Sequence, residues 1–299
     1  MITPPYLQVG DSIAIAASAR FVTKEDLIEP INILKEFGFN VLVHENLFEI
    51  NNQLAGTDEN RALVLNEYLK NDNVKAILFA RGGYGSTRMI DLVDWSLLTK
   101  NPKWLAGFSD VTAILNHVDK LGISSIHSIM PLLFIKENAK ESIISLIEIL
   151  KGEKNIISAP KHILNVIGEC EGELIGGNLS LLVHIVGTES EPVWKGKFLF
   201  LEDLDEYLYH VDRMMIQLKR AGVLAQLKGI VVGYMSDMKD NATPWGKNAY
   251  EIIAEHCAEL GIPLAFGLPV GHEIPNLALK IGGVYKLSVE TSGTTLSLI

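Results

Sequence analysis

Apolar positions in the first half of the chain follow two alternating rhythms. Short unbroken apolar runs occupy residues 12–17, 40–44, 75–80 and 104–108, the pattern of parallel strands buried on both faces. Between them apolar residues recur at helical spacing: Leu27, Ile31, Leu34 and Phe37, then Ala62, Leu65, Tyr68 and Leu69, then Met89, Leu92 and Val93. Pro30 is expected to interrupt the first of these helices, because its ring removes a donor and clashes with the preceding turn. After the fourth strand, Val111, Ile114, Leu115 and Val118 fall at i, i+3, i+4 and i+7, and Gly122 closes that helix. Residues 124–128 read as the end of a further strand. Repeated strand–helix–strand units predict a parallel sheet covered on both faces, of the flavodoxin or Rossmann kind.

The pattern changes near residue 150. Residues 151–165 are polar, carry Pro160 and read as a linker. Strand-like runs at 198–201 and 229–233 then enclose a helix through Val211, Met214, Met215 and Leu218. Another helix runs through Ala249, Ile252, Ile253 and Cys257. Residues 285–290 and 294–299, joined across a Ser-Gly turn, predict a hairpin. The expected architecture is α/β. A parallel-sheet domain spans 1–150, the linker 151–165, and a smaller C-terminal α+β domain 166–299.

Composition narrows the function. The 299 residues hold 26 Lys+Arg against 36 Asp+Glu, a formal net charge of −10, and no basic run, so the electrostatic footprint of a nucleic-acid binder is missing. Cys170 and Cys257 lie far apart with no CxxC spacing, which favours a reducing compartment over a disulfide framework or zinc site. No apolar run approaches the ~18–20 residues of a membrane span, and Met1-Ile-Thr-Pro-Pro5 does not read as a signal peptide. A cytoplasmic protein that handles something small, without metal or cofactor, is the expectation.

Three segments could carry chemistry. Arg81-Gly-Gly-Tyr-Gly85 follows the 75–80 strand, where ligands of open parallel sheets bind. Its glycines could bare N–H groups to an oxyanion, or simply make a tight turn. It is no dinucleotide fingerprint, because Arg88 stands where the third glycine belongs, and it lacks the P-loop lysine. Gly107-Phe-Ser-Asp-Val111 puts Ser109 between a strand and a helix. That is the place of a nucleophile elbow and equally of an ordinary N-cap. The acidic stretch Leu201-Glu-Asp-Leu-Asp-Glu206 ends a strand and could supply a carboxylate to orient a base, or cap the next helix. Spacing does not choose among its acids. Of eight histidines, His44, His117, His162, His184, His210 and His256 read as core, linker or surface residues. His127 and His272 remain as candidate bases, and residue types do not separate them.

Taken together, Arg81-Gly-Gly-Tyr-Gly85, Gly107-Phe-Ser-Asp-Val-Thr112, Gly176-Gly-Asn-Leu-Ser180, Phe200-Leu-Glu-Asp203, Tyr209-His-Val-Asp-Arg-Met214 and Gly271-His272 resemble, in order and spacing, the LD-carboxypeptidase family. This is the muramoyltetrapeptide carboxypeptidase type of serine peptidase, which also includes the microcin C immunity proteins. Gly56-Thr-Asp-Glu-Asn-Arg61 resembles the family's segment before its glycine loop. The resemblance implies Ser109 as nucleophile, Glu202 as the triad carboxylate and His272 as base. It also implies backbone N–H groups of Gly83 and Asp110 as the oxyanion hole, Arg81 and Tyr84 as substrate contacts, and a homodimer.

By resemblance, the substrate is a small peptide, the murein tetrapeptide, cut at the L,D bond to its terminal D-alanine. The alternative within the family is a peptide–nucleotide or aminoacyl–nucleotide conjugate, for which Trp194 or Trp245 could form an aromatic platform. Two departures stand out. Gly271-His272-Glu273 replaces the family's Gly-His-Gly, so an acid beside the base could raise its pKa or point away. His127-Ser128-Ile129 replaces His-Gly-Pro.

Overall fold

The computed structural model describes residues 1–153 and 155–299; Lys154, in the expected linker, lies outside the described residues. Five short apolar runs form the parallel strands β1 (Ser12–Ala16), β2 (Asn40–Val43), β3 (Val74–Phe79), β4 (Trp104–Gly107) and β5 (Ser125–His127). Their spatial order is 2-1-3-4-5, the flavodoxin-like doubly wound order, which reverses direction between β1 and β3. The strands are apolar on both faces because both are covered. Ile13 and Ile15 enter one core cluster, Ala14 and Ala16 the other, and all are buried.

Local signals account for the helices. Thr23 and Asp26 form a capping box that starts the helix Lys24–Glu36, and the helix continues through Pro30 instead of breaking there. The cap fixes the first turn upstream of the proline, and Pro30 itself is buried beside Leu27 and Leu34. The expected helix through Met89 and Val93 is a short helix, Ser86–Met89, followed by a 3₁₀ turn at Ile90–Leu92.

The second half builds a seven-stranded sheet. Strands Gly168–Asn178, Phe198–Leu204, Gly229–Ser236 and Leu264–Phe266 run parallel to their neighbours. Val284–Val289 and Gly293–Leu298 form the expected hairpin and extend the sheet antiparallel to Gly168–Asn178. Two features differ from the sequence expectation. Part of the supposed linker, Ile156–Pro160, is the edge strand of this sheet, with Ile157 and Ala159 turned inward in a two-residue alternation. The strand Leu279–Ile281 crosses back and pairs antiparallel with β5, so late sequence completes the early sheet. No helix among the described residues is long and apolar enough to cross a membrane.

A close contact beside the candidate site joins the two sheets. The helix Thr112–Lys120, which follows β4, lies against the end of strand Gly168–Asn178. Asn178 N donates to Thr112 Oγ1 at 3.1 Å, and Asn116 Nδ2 donates to Gly176 O at 3.0 Å. At the far end of this helix Asp119, its side chain 1% exposed, accepts from Lys197 Nζ at 2.8 Å. Gly177 permits the approach, because a Cβ there would lie 2.5 Å from Thr112 Oγ1 and its φ is +139°. Gly177→Ala should therefore destabilise the protein by about 2–4 kcal/mol through strain and overpacking. Urea denaturation checks this, and an unchanged midpoint and slope would contradict the contact.

Candidate active site

Ser109 occupies a strained turn. β4 ends at Gly107, Phe108 is extended, and Ser109 has φ +60° before the backbone turns into the 3₁₀ segment Ser109–Val111 and then the helix Thr112–Lys120. Positive φ is uncommon for a residue with a Cβ and marks a backbone held by its surroundings. No side-chain capping bond accompanies this helix start, so Ser109 is not acting as the N-cap that its position allows. The geometry is that of an elbow, with Ser109 partly buried and the Asp110 N–H at a helix N-terminus, where the dipole favours negative charge.

The glycine loop packs directly on this elbow. A Cβ on Gly82 would lie 3.0 Å from Ser109 Cβ and 3.2 Å from Ser109 Oγ, so any larger residue would crowd the hydroxyl. Asp110 ties the two loops together: buried to 1% exposure, its Oδ2 accepts from Ser86 N at 2.7 Å. Burial pushes the Asp110 carboxyl up, and the bonds to Ser86 work against that. Beneath the loop, buried Arg61 donates to Ser18 O and Gly56 O at 3.1 Å each and approaches Gly85 O. This explains the Gly56–Arg61 motif as a scaffold for the loop. Sequence reasoning missed the carboxylate tether of Asp110 and the brace of Arg61. An arginine in register with Leu65 and Tyr68 on the apolar face of its helix was the available signal for the brace.

Glu202 and His272 come from the second half. Glu202 lies in the strand Phe198–Leu204, in register with Asn178. It is fully buried, and its Oε2 sits 2.6 Å from His272 Nδ1. The structure thus pairs Glu202, and not its neighbours, with His272. Consecutive strand residues point to opposite faces; Asp203 is turned to Asn178 Nδ2 (2.7 Å) and Ser180 N (2.9 Å). Burial, reinforced by the Glu202 charge, pushes the Asp203 carboxyl up to about 7. Asp205 is exposed and paired with Lys239.

The His272 ring lies tilted against Phe108, the residue immediately before Ser109, with centroids 4.8 Å apart. His127 is fully buried, edge-on to Phe200 at 4.9 Å and Phe108 at 5.7 Å, with neither ring nitrogen hydrogen-bonded among the described residues. Burial pushes it down to about 4. Glu273 accepts from Ser236 Oγ at 3.0 Å. Burial and then the Glu273 charge push up Tyr234.

Beside Gly83 and Asp110 opens a cavity of about 450 Å³, also lined by Tyr84, Thr87, His184 and His210. Tyr84 is 49% exposed at its rim. His210 is held by Glu206 at 2.5 Å. Trp194 is buried, with Nε1 bonded to Glu191, which removes it as a stacking platform. Trp245 is exposed.

A strained serine stands between a strand and a helix, and a buried carboxylate–imidazole pair lies beside the residue that precedes it. Residues 13–128 match the LD-carboxypeptidase N-terminal domain and residues 171–287 the LD-carboxypeptidase C-terminal domain. The chain belongs to the LD-carboxypeptidase family of serine peptidases. It is 30% identical to the probable murein peptide carboxypeptidase of Bacillus subtilis, over 98% of this chain and 92% of that one. The muramoyltetrapeptide carboxypeptidase of Oxalobacter formigenes has the same fold (TM-score 0.89, 30% identity, 96% and 98% covered). The microcin C7 self-immunity protein of Escherichia coli is 26% identical over 98% of this chain and 94% of its own.

The His272 imidazole experiences opposing influences. Burial favours its neutral form, but the charge and hydrogen bond of Glu202 outweigh it, with a smaller contribution from Asp203, and the net shift is upward from 6.5. A raised histidine is protonated at low pH and becomes neutral only above the ordinary value. NMR titration should therefore place His272 above 6.5, and Glu202→Gln should bring it down. A wild-type value below 6.5 would contradict the assigned balance.

Proposed function

We propose that the protein is a serine LD-carboxypeptidase that removes the terminal D-alanine from murein tetrapeptides. The observation that carries this reading is the buried Glu202–His272 pair at 2.6 Å, set against the strained Ser109 turn through Phe108. The kinship with murein peptide carboxypeptidases supplies the substrate class. The nucleophile sits in the domain over 1–150. Its acid and base sit in the one over 166–299, so the site exists only when the halves are docked.

The steps follow from the groups present. Ser109 Oγ attacks the carbonyl carbon of the L,D bond as its proton passes to His272 Nε2, while Glu202 holds Nδ1–H and stabilises the imidazolium. The carbonyl oxygen becomes an oxyanion that accepts from the N–H groups of Gly83 and Asp110. Collapse breaks the C–N bond, and His272 returns its proton to the leaving amine of D-alanine. Water then attacks the acyl-serine with the same base, releasing the tripeptide carboxylate and restoring the Ser109 hydroxyl. Arg81 and Tyr84 flank the entrance as substrate contacts.

The same reading places the protein in the cytoplasm, acting as a homodimer without nucleic-acid partners. The free thiols of Cys170 and Cys257 suit a reducing setting.

Mass spectrometry of a murein tetrapeptide and of a peptide–nucleotide conjugate, each with wild type and Ser109→Ala, tests the proposal. Wild type should release D-alanine, and Ser109→Ala should lose at least about 10⁴-fold in rate with an unchanged melting transition. Full activity in Ser109→Ala would overturn the serine mechanism. Turnover of the conjugate alone would move the protein to the immunity-type reaction.

A further inference from the structure

A carboxypeptidase must recognise a free carboxylate, yet this chain carries a net charge of −10. The recognition has to come from a local positive field, and the structure supplies one at the switch point of the first sheet. Ligands of this topology lie in the crevice at the carboxyl ends of the strands flanking the reversal, here β1 and β3. The segment leaving β1 brings Arg20 to that crevice, and the segment leaving β3 brings Arg81 and the glycine loop.

Arg20 lies against the loop itself. A Cβ on Gly83 would be 2.7 Å from Arg20 Cγ and Cδ and 3.0 Å from Nε. The backbone on either side of Arg20 is fixed, because Phe21 N donates to Gln53 O at 3.2 Å and Ala55 N to Ala19 O at 3.0 Å. Arg81 reaches the same corner, with Nη1 donating to Phe21 O at 3.3 Å. Burial, and then repulsion from Arg20, hold the Arg81 guanidinium below its ordinary value; Asp26 opposes this. The Asp26 carboxylate already accepts from Thr23 N at 2.8 Å in the helix cap. Among the described residues neither arginine is ion-paired, whereas Arg61 and Arg88 both hold Asp58. Two guanidinium groups that repel each other thus share one corner, a charge arrangement completed by an anion.

We infer that Arg20, together with Arg81, binds the terminal carboxylate of the substrate. The inference rests on the carboxypeptidase reading and assigns the group that makes it a carboxypeptidase. In the scissile unit the carboxylate is one carbon removed from the leaving nitrogen. A residue that grips it must therefore stand beside the loop that holds the oxyanion, and Arg20 packs on Gly83 of that loop. A planar guanidinium also matches a carboxylate with two parallel N–H donors. Arg88 and Arg61, which also lie near the loop, are already committed to Asp58.

The test compares a murein tetrapeptide with its C-terminal amide, using wild type, Arg20→Gln, Arg20→Lys and Arg81→Gln. Wild type should favour the free acid by about 10²-fold in kcat/KM, and Arg20→Gln should lose most of that preference, chiefly through KM. Arg20→Lys should recover part of it, and Arg81→Gln should show a smaller loss. Equal loss on acid and amide in Arg20→Gln, or no loss on either, would overturn the assignment. Calorimetric binding to Ser109→Ala separates this inference from the reaction it rests on. Tighter binding of acid than amide, abolished by Arg20→Gln, would uphold the carboxylate site even if wild type turned over neither peptide. Equal binding of the two would refute it.

Discussion

The catalytic geometry we propose depends on the seating of the Thr112–Lys120 helix against Gly176, Gly177 and Asn178. On one side of that contact the same helix begins at the Ser109 turn. On the other, Asn178 pairs in register with Glu202 and bonds to Asp203. Two residues of chain separate Thr112 from Ser109, and one step across the sheet separates Asn178 from the carboxylate that holds His272. A shift of an ångström here would be felt at the triad, and misplacements of that size cost enzymes about 10²-fold. The buried Lys197–Asp119 pair fixes the other end of the helix. Lys197 also reaches Glu173 at 3.2 Å, so removing Lys197 would leave the buried Asp119 carboxylate without its cation, and the pair favours one docking arrangement.

Electrostatics in the site follow from burial and partner choice. Glu202 is buried but has an imidazole on Oε2; Asp203 is buried against Asn178 and backbone N–H groups; Asp110 is buried against Ser86 N. Each carboxyl has a distinct job because each faces a different element. The acidic surface and the arginine-lined crevice are likewise reconciled. Overall charge governs the long-range field, which salt screens within about 8–10 Å, whereas recognition of a carboxylate is settled by guanidinium groups at contact distance.

Much of the fold was legible in the chain because buried parallel strands are short, apolar and closely followed by helices. The 12–17, 40–44, 75–80 and 104–108 runs correspond to β1–β4. What escaped was non-local. The Ile156–Pro160 strand hid in a polar stretch whose alternation, Ile157 and Ala159 inward, spans only five residues. The crossing of Leu279–Ile281 into the first sheet leaves no local mark. The site shows the same limit. Alternation along Phe198–Leu204 says that Glu202 and Asp203 face opposite ways, but not which one meets His272. Family resemblance supplied that choice. Nothing in the sequence pointed to Arg20, since a lone arginine after a strand acquires meaning only from the glycine it touches.

The central claim is that Ser109 is a nucleophile activated by the His272–Glu202 pair. Peptide mapping after exposure to a fluorophosphonate reads it directly, because the phosphonyl adduct on an activated serine is not turned over. The account predicts a single adduct on Ser109, lost in His272→Ala. An adduct on another residue, or an unlabelled Ser109 in protein that still releases D-alanine, would contradict it.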